Sequence, residues 1–152
     1  MKFYLNYDDL ERDTYIIFNA VMSQIHQFFQ VYERTTPITT RMTEEEKRRE
    51  ENIINNSPII KKCRYIQMVL LKKENTPLCN YLDFLKIEPQ LYALRWVRLL
   101  FTREFHFDDA MILWDAIFCH GSCLKLLDYI CVSMLNYIAN DSKKILFFFF
   151  IF

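Results

Sequence analysis

The sequence predicts an all-helical fold, and three observations carry that expectation. One glycine and four prolines in 152 residues leave little turn chemistry for hairpins. Apolar residues recur mostly at spacings of three and four, the helical period, rather than alternating. Hydrophobic residues are 52% of the chain and aromatic residues 16%, enough apolar material to build a compact core at this length.

The elements follow in order. Thr14, Ile17, Val21, Ile25, Phe28 and Tyr32 form one stripe, which predicts an amphipathic helix from about Asp9 to Glu33 that needs a partner to cover it. Residues 34–57 are threonine-rich and then charged, without a sustained apolar stripe. They read as a surface insertion, with one solvated turn nucleated by a capping box between Thr43 and Glu46. Ser57-Pro58 and Thr76-Pro77 each set a capping side chain before a proline suited to the first helical position. The helix from Pro58 to about Lys73 is expected to bury Ile59, Cys63, Ile66 and Leu70. The helix after Pro77 carries Leu78, Tyr81, Leu82 and Leu85. Glu88-Pro89 breaks and restarts the chain. Leu91 to Phe101 forms a central buried helix, and Phe107 to about Cys119 forms another, ended by Gly121 in the left-handed conformation. The last helix runs from about Ser122 to Ala139.

Residues 141–152 end in an apolar tail of doubtful origin, SKKILFFFFIF. Its composition is what translation of A/T-rich noncoding sequence gives. A terminal helix packed on the core and a contact with a membrane surface are the other readings. The apolar run from Ile145 to Phe152 is far shorter than the roughly 20 residues that span a bilayer, so no transmembrane segment is expected.

Charge narrows the function classes. Lysine plus arginine and aspartate plus glutamate number 19 each, so no positive field draws the chain to nucleic acid or anionic lipid. The odd set Cys63, Cys79, Cys119, Cys123 and Cys131 is scattered through apolar stretches without a secretory signal, which implies reduced thiols in the cytosol. Cys119-His120-Gly121-Ser122-Cys123 offers three metal-ligand types but no convincing fourth, and reads as packing rather than a zinc site. His26 and His106 stand alone, with no triad around them. A single glycine excludes a glycine-rich phosphate loop. No cofactor and no resident metal are expected.

The informative stretch is LYALRWVRLLFTREFHFDDAMILWDAIF, Leu91 to Phe118. Arg95 and Arg98 are the only charges between Leu91 and Phe101, three apart and on one side of an apolar helix. Guanidinium groups stay charged even when buried, so each needs carboxylates or carbonyls within reach. Asp108, Asp109 and Asp115 on the following helix, with Glu104 before it, are the expected partners. The simplest arrangement is a buried network fixing how two helices cross; contact with a partner protein is the other.

Arg95-Trp96, Leu99-Leu100-Phe101, Arg103-Glu104-Phe105 and Leu113-Trp114-Asp115 closed by Phe118 resemble, in order and spacing, the signature helices in the C-terminal half of TBC domains, the Rab-directed GTPase activators. Asp13 to Met22 resembles the helix that follows the family's catalytic motifs. The resemblance covers about Asp9 to Ala139, is nearest to the subgroup that acts with endosomal retromer, and implies a TBC-like half-domain over residues 1–140. It makes Arg95, Trp96, Arg98, Arg103, Glu104, Trp114 and Asp115 family-signature residues, structural or partner-contacting. It also implies a Rab-family small GTPase as partner, a retromer-like complex as a further one, and a cytoplasmic place on endosomal membranes.

In that family an arginine from I-x-x-D-x-x-R and a glutamine from Y-x-Q are lent to the GTPase, since phosphoryl transfer to water needs positive charge on the developing oxygens and an oriented nucleophile. Neither is expected in this chain. Ile112-x-x-Asp115-x-x-Phe118 ends in phenylalanine. Tyr65-Ile66-Gln67 matches Y-x-Q in form but lies in a helix the family places after its catalytic half. No catalytic residue is assigned, both motifs are expected upstream of Met1, and the fragment alone is expected to be inactive. A scaffold module that binds a Rab or trafficking complex without accelerating hydrolysis is the alternative.

Overall fold

A computed structural model of the chain describes residues 9–30, 43–120 and 123–139. Helix α1 (Leu10–Ile25) passes into a 3-10 turn at His26–Phe29. Then come α2 (Glu44–Asn56), α3 (Pro58–Tyr65), a π-helical stretch at Ile66–Leu71 and α4 (Lys72–Glu74). Helices α5 (Thr76–Phe84), α6 (Gln90–Leu99), α7 (Phe107–Cys119) and α8 (Cys123–Ala139) complete the order. Among the described residues there is no strand, as an all-helical fold requires.

The core is a bundle around α6. Helix α3 packs on α6 and on the 3-10 turn, and α8 packs on the π-helical stretch. Trp96, Tyr92, Phe101, Ile66, Leu71, Leu82, Ile117 and Leu127 are buried at its centre. The π-helical turn explains one departure from the expected face. Its wider turn moves the next inward position from Leu70, which is half-buried, to Leu71, which is fully buried beside Ile66 and Gln67.

Local outcomes differ from the sequence reading: the first helix gives way to the 3-10 turn after Ile25 and Gln30 is already extended, and the Ser57 side chain makes no capping hydrogen bond at α3. Residues 44–56 form a full helix rather than a single turn, started by the Thr43–Glu46 capping box. Its sequence carries no apolar stripe because none of its residues is buried, so periodicity could not report it. At α5 the cap is Asn75, whose Oδ1 accepts from the Leu78 backbone N–H at 3.1 Å, while the Thr76 hydroxyl turns back to donate to the Lys72 carbonyl at 2.7 Å. The asparagine won because its side chain reaches the third backbone N–H from one position further out. Of the face expected on α5, Tyr81 and Leu85 are exposed, and Cys79 is buried beside Leu78 and Leu82.

Helix α6 ends on two consecutive left-handed residues, Leu100 at φ 46° and Phe101 at φ 66°. That conformation costs about 1–2 kcal/mol for each non-glycine residue. Burial of both side chains offsets it, and the Leu100 and Phe101 amides both close on the Trp96 carbonyl. Gly121, expected to end α7, and the tail 141–152 lie outside the described residues.

Candidate functional site

The left-handed turn after α6 gathers the signature residues. Trp96 is fully buried, its ring centroid 5.1 Å from Tyr92 and 6.4 Å from Phe101. The turn doubles the chain back so that Glu104 meets Arg95: the Arg95 Nε donates to Glu104 Oε1 at 2.6 Å, with the side chains 23% and 8% exposed. Trp114 on α7 donates from Nε1 to the Leu100 carbonyl at 2.8 Å, which ties α7 to the turn. Arg103 is exposed.

Arg98 goes elsewhere. Its Nε donates to the Phe28 carbonyl at 2.7 Å, and its guanidinium lies 6.0 Å over the Phe29 ring. The expectation that Arg95 and Arg98 share the aspartates of α7 is therefore corrected. Asp108, Asp109 and Asp115 are all exposed. The geometry of α7 explains this. Ala110 and Ile117 are its buried residues, each two positions after Asp108 or Asp115 and so about 200° around the helix from it. Burying one face turns the acids outward. At the start of α7, Asp108 and Asp109 sit where the helix dipole favours negative charge.

Gln67, the glutamine of the formal Y-x-Q match, is fully buried on the π-helical stretch. Its Oε1 accepts from the Tyr92 hydroxyl at 2.6 Å, and its backbone carbonyl accepts from the Cys79 thiol at 3.4 Å. A side chain so held inside the core cannot be lent to another protein's nucleotide.

A second buried charge pair, Lys62 Nζ to Asp128 Oδ2 at 2.7 Å, joins α3 to α8. Burial pushes the Asp128 carboxyl up from its ordinary value, against the hydrogen bond and charge of Lys62. Sequence reasoning missed this pair. Its signal was an acid inside the stripe Leu127, Cys131, Leu135, where a solvated carboxylate has no place. Cys63, Cys79 and Cys131 are buried free thiols. Burial raises the Cys63 thiol to about 12 and Cys131 likewise upward, so neither supplies a thiolate near neutral pH, as nucleophilic catalysis would need. Cys119 and His120 are exposed, and the rest of that cluster is outside the described side chains.

The helical bundle is thus built around an Arg-Trp helix, locked to the Leu-Trp-Asp helix through its left-handed turn. The chain belongs to the Rab-GTPase-TBC domain family, whose model matches residues 11–143. Among its relatives, it is 54% identical over 86 residues to TBC1 domain family member 5 homolog B of Dictyostelium discoideum, covering 57% of the chain and 8% of that protein. It is 41% identical over 142 residues to human TBC1 domain family member 5, covering 92% of the chain and 18% of the relative. Mouse TBC1 domain family member 13 is 35% identical over 71 residues, covering 47% of the chain and 18% of the relative. The chain thus spans less than a fifth of the length of each of these proteins. No solved structure matches the chain.

Proposed function

We propose that the chain is part of a GTPase-activating protein for a Rab-family small GTPase in endosomal trafficking, to which it contributes scaffold and partner surface but neither catalytic finger. The observation that carries this reading is the placement of Gln67, fully buried and bonded to Tyr92, in a chain of the Rab-GTPase-TBC family. Its one formal match to a catalytic motif is a core residue. Ile112 to Phe118 offers no arginine at the finger position. What the chain supplies instead is a rigid corner: Trp96 anchors α6, Arg95 and Glu104 fix the turn, and Trp114 holds α7 against it. Arg103 and Asp115, the exposed signature residues, are the ones this reading turns toward a partner. A retromer-like complex and the endosomal membrane surface are the further partners, through the similarity to TBC1 domain family member 5.

The test is phosphate release from a panel of GTP-loaded Rab proteins with the purified chain. Acceleration of no more than a few-fold is expected, against the roughly 10³–10⁵-fold that an arginine finger supplies. A large acceleration by the chain alone overturns the reading. A scaffold role without activation is the second reading. It wins if no in-frame I-x-x-D-x-x-R and Y-x-Q precede Met1 and a GTP-bound Rab still binds.

A further inference from the structure

The zero net charge of the chain averages over a segregated surface. Between Pro58 and Lys73 the sequence holds Lys61, Lys62, Arg64, Lys72 and Lys73 and no acid, whereas α7 holds Asp108, Asp109 and Asp115 and no base. Lys62 is the cation paired with Asp128; the others are exposed. Among the described residues no carboxylate forms an ion pair with Lys61, Arg64, Lys72 or Lys73, although Arg64 Nη2 donates to Asn55 Oδ1.

These cations share a face. Helix α3, the π-helical stretch and α4 follow one another without a break from Pro58 to Glu74. Ile59, Cys63, Ile66, Gln67 and Leu71 bury one side of that run, so successive turns present the other: Lys61, then Arg64 and Tyr65, then Met68 and Val69, then Lys72 and Lys73. At 1.5 Å per residue the crest is about 18 Å long. Its ends are cationic and its middle is apolar, with Tyr65, Met68 and Val69 44%, 42% and 50% exposed. Acids stand on its flanks: Asp83 and Glu88 share a hollow with Arg64, Met68 and Lys86, and Glu74 shares another with Lys73 and the exposed Tyr129.

A protein segment that binds through apolar anchors lays them in a groove, and this face is the convex side of a single helical run. A bilayer needs no groove. Lysine and arginine reach anionic headgroups on flexible stems, while apolar side chains and a tyrosine between them enter the boundary with the acyl chains.

We propose that this face docks the chain on an anionic lipid bilayer, with the helix axis in the membrane plane, Lys61, Arg64, Lys72 and Lys73 on the headgroups and Tyr65, Met68 and Val69 between them. The inference deepens the membrane placement proposed above, and it rests on that placement rather than on Rab activation. It reverses the expectation drawn from whole-chain charge, because attraction to headgroups falls off within a Debye length and so depends on the local face rather than the total.

The test is co-sedimentation of the 152-residue chain with vesicles of phosphatidylcholine alone and of phosphatidylcholine with phosphatidylserine. Binding to the anionic vesicles and not to the neutral ones is expected, weakening as salt rises. Lys72→Gln with Lys73→Gln should weaken it about 25-fold, roughly five-fold for each cation. Arg12→Gln with Lys47→Gln, which removes the same charge from other helices, should change it by less than about two-fold. Val69→Ser should lower it several-fold and keep its helical circular dichroism. Equal binding to neutral and anionic vesicles overturns the proposal, and so does no binding, whatever protein the face captures instead. Equal losses in the two double variants overturn it too, as does anionic binding that both Lys72→Gln with Lys73→Gln and Val69→Ser leave intact. Should Val69→Ser fail to fold, the two double variants, all at exposed positions, decide in the same terms. The vesicles carry no protein, so a failure here leaves the phosphate-release test of the proposed function standing.

Discussion

In α6, Tyr92, Ala93, Trp96 and Val97 are buried, and both arginines of the helix are held by Glu104 or by a backbone carbonyl. In α1, only Ile25 is buried, while Tyr15, Ile16, Ile17 and Phe18 are each more than half exposed. The two helices carry apolar residues at the same period. Period assigns a helix and a face; it does not say whether anything covers that face. What separates them is the neighbourhood. Helix α6 lies under α3 and touches α8, and its C-terminal turn returns the chain across its end. Helix α1 meets the rest of the molecule mainly through Ile25 and the 3-10 turn after it, where Phe28 enters the core.

The largest effect that would sharpen this contrast is a truncation in each helix. Trp96→Ala should lower the unfolding free energy by about 3–5 kcal/mol through lost burial and a residual cavity. Ile17→Ala in monomeric protein should move it by no more than about 0.5 kcal/mol. Denaturant midpoints with unchanged slopes would measure both. Comparable losses at the two positions would mean that α1 is covered in the folded chain and would break the comparison.

A smaller effect tests what holds the α6 corner. Arg95 and Glu104 are close but not sealed from water, so their coupling should fall between an exposed and a fully buried pair, about 1–3 kcal/mol in a double-mutant cycle. Arg95→Ala with Asp115→Ala should be additive within about 0.5 kcal/mol. Coupling to Asp115 instead would restore the network expected from sequence and contradict the outward face of α7.

Much of this corner was legible in the sequence, and the illegible parts have physical reasons. The bounds of α7 at Phe107 and Cys119 were expected from apolar period and from Gly121, and the burial of Trp96 from the apolar helix that restarts after the proline at 89. The partner of Arg95 was named among four acids but not singled out. Choosing it required knowing that Leu100 and Phe101 take the left-handed conformation, and neither residue type advertises that. Only burial of their side chains makes it tolerable, and burial is a property of the assembled fold. The same holds for Gln67. Its motif letters fit a catalytic pattern, and only its place under Tyr92 shows that it cannot act so.

Helix α2 is the limiting case, since none of its residues is buried. It covers no core and meets α3 through the Arg64 Nη2–Asn55 Oδ1 hydrogen bond at 2.7 Å, so its capping box is the smallest test of the comparison. Thr43 Oγ1 accepts from the Glu46 backbone N–H at 3.3 Å, and Glu46 Oε2 accepts from the Thr43 backbone N–H at 2.8 Å. That backbone hydrogen bond holds the Glu46 carboxyl below its ordinary value. A carboxyl whose pKa is lower in the helix than out of it stabilises the helix above the unfolded value, and the contribution is lost as pH falls through the folded one. Amide exchange at Glu46 and Lys47 should therefore speed up on acidification through the carboxylate range. Glu46→Gln should remove that pH dependence while keeping an acceptor for Thr43. Thr43→Ala should loosen α2 at every pH, by about 1 kcal/mol as for other lost caps. The global denaturation midpoint should stay in place throughout, because a helix that covers no core can fray without opening one. A midpoint that fell together with α2 protection would show that the core depends on this helix, and would put α2 with α6 rather than with α1.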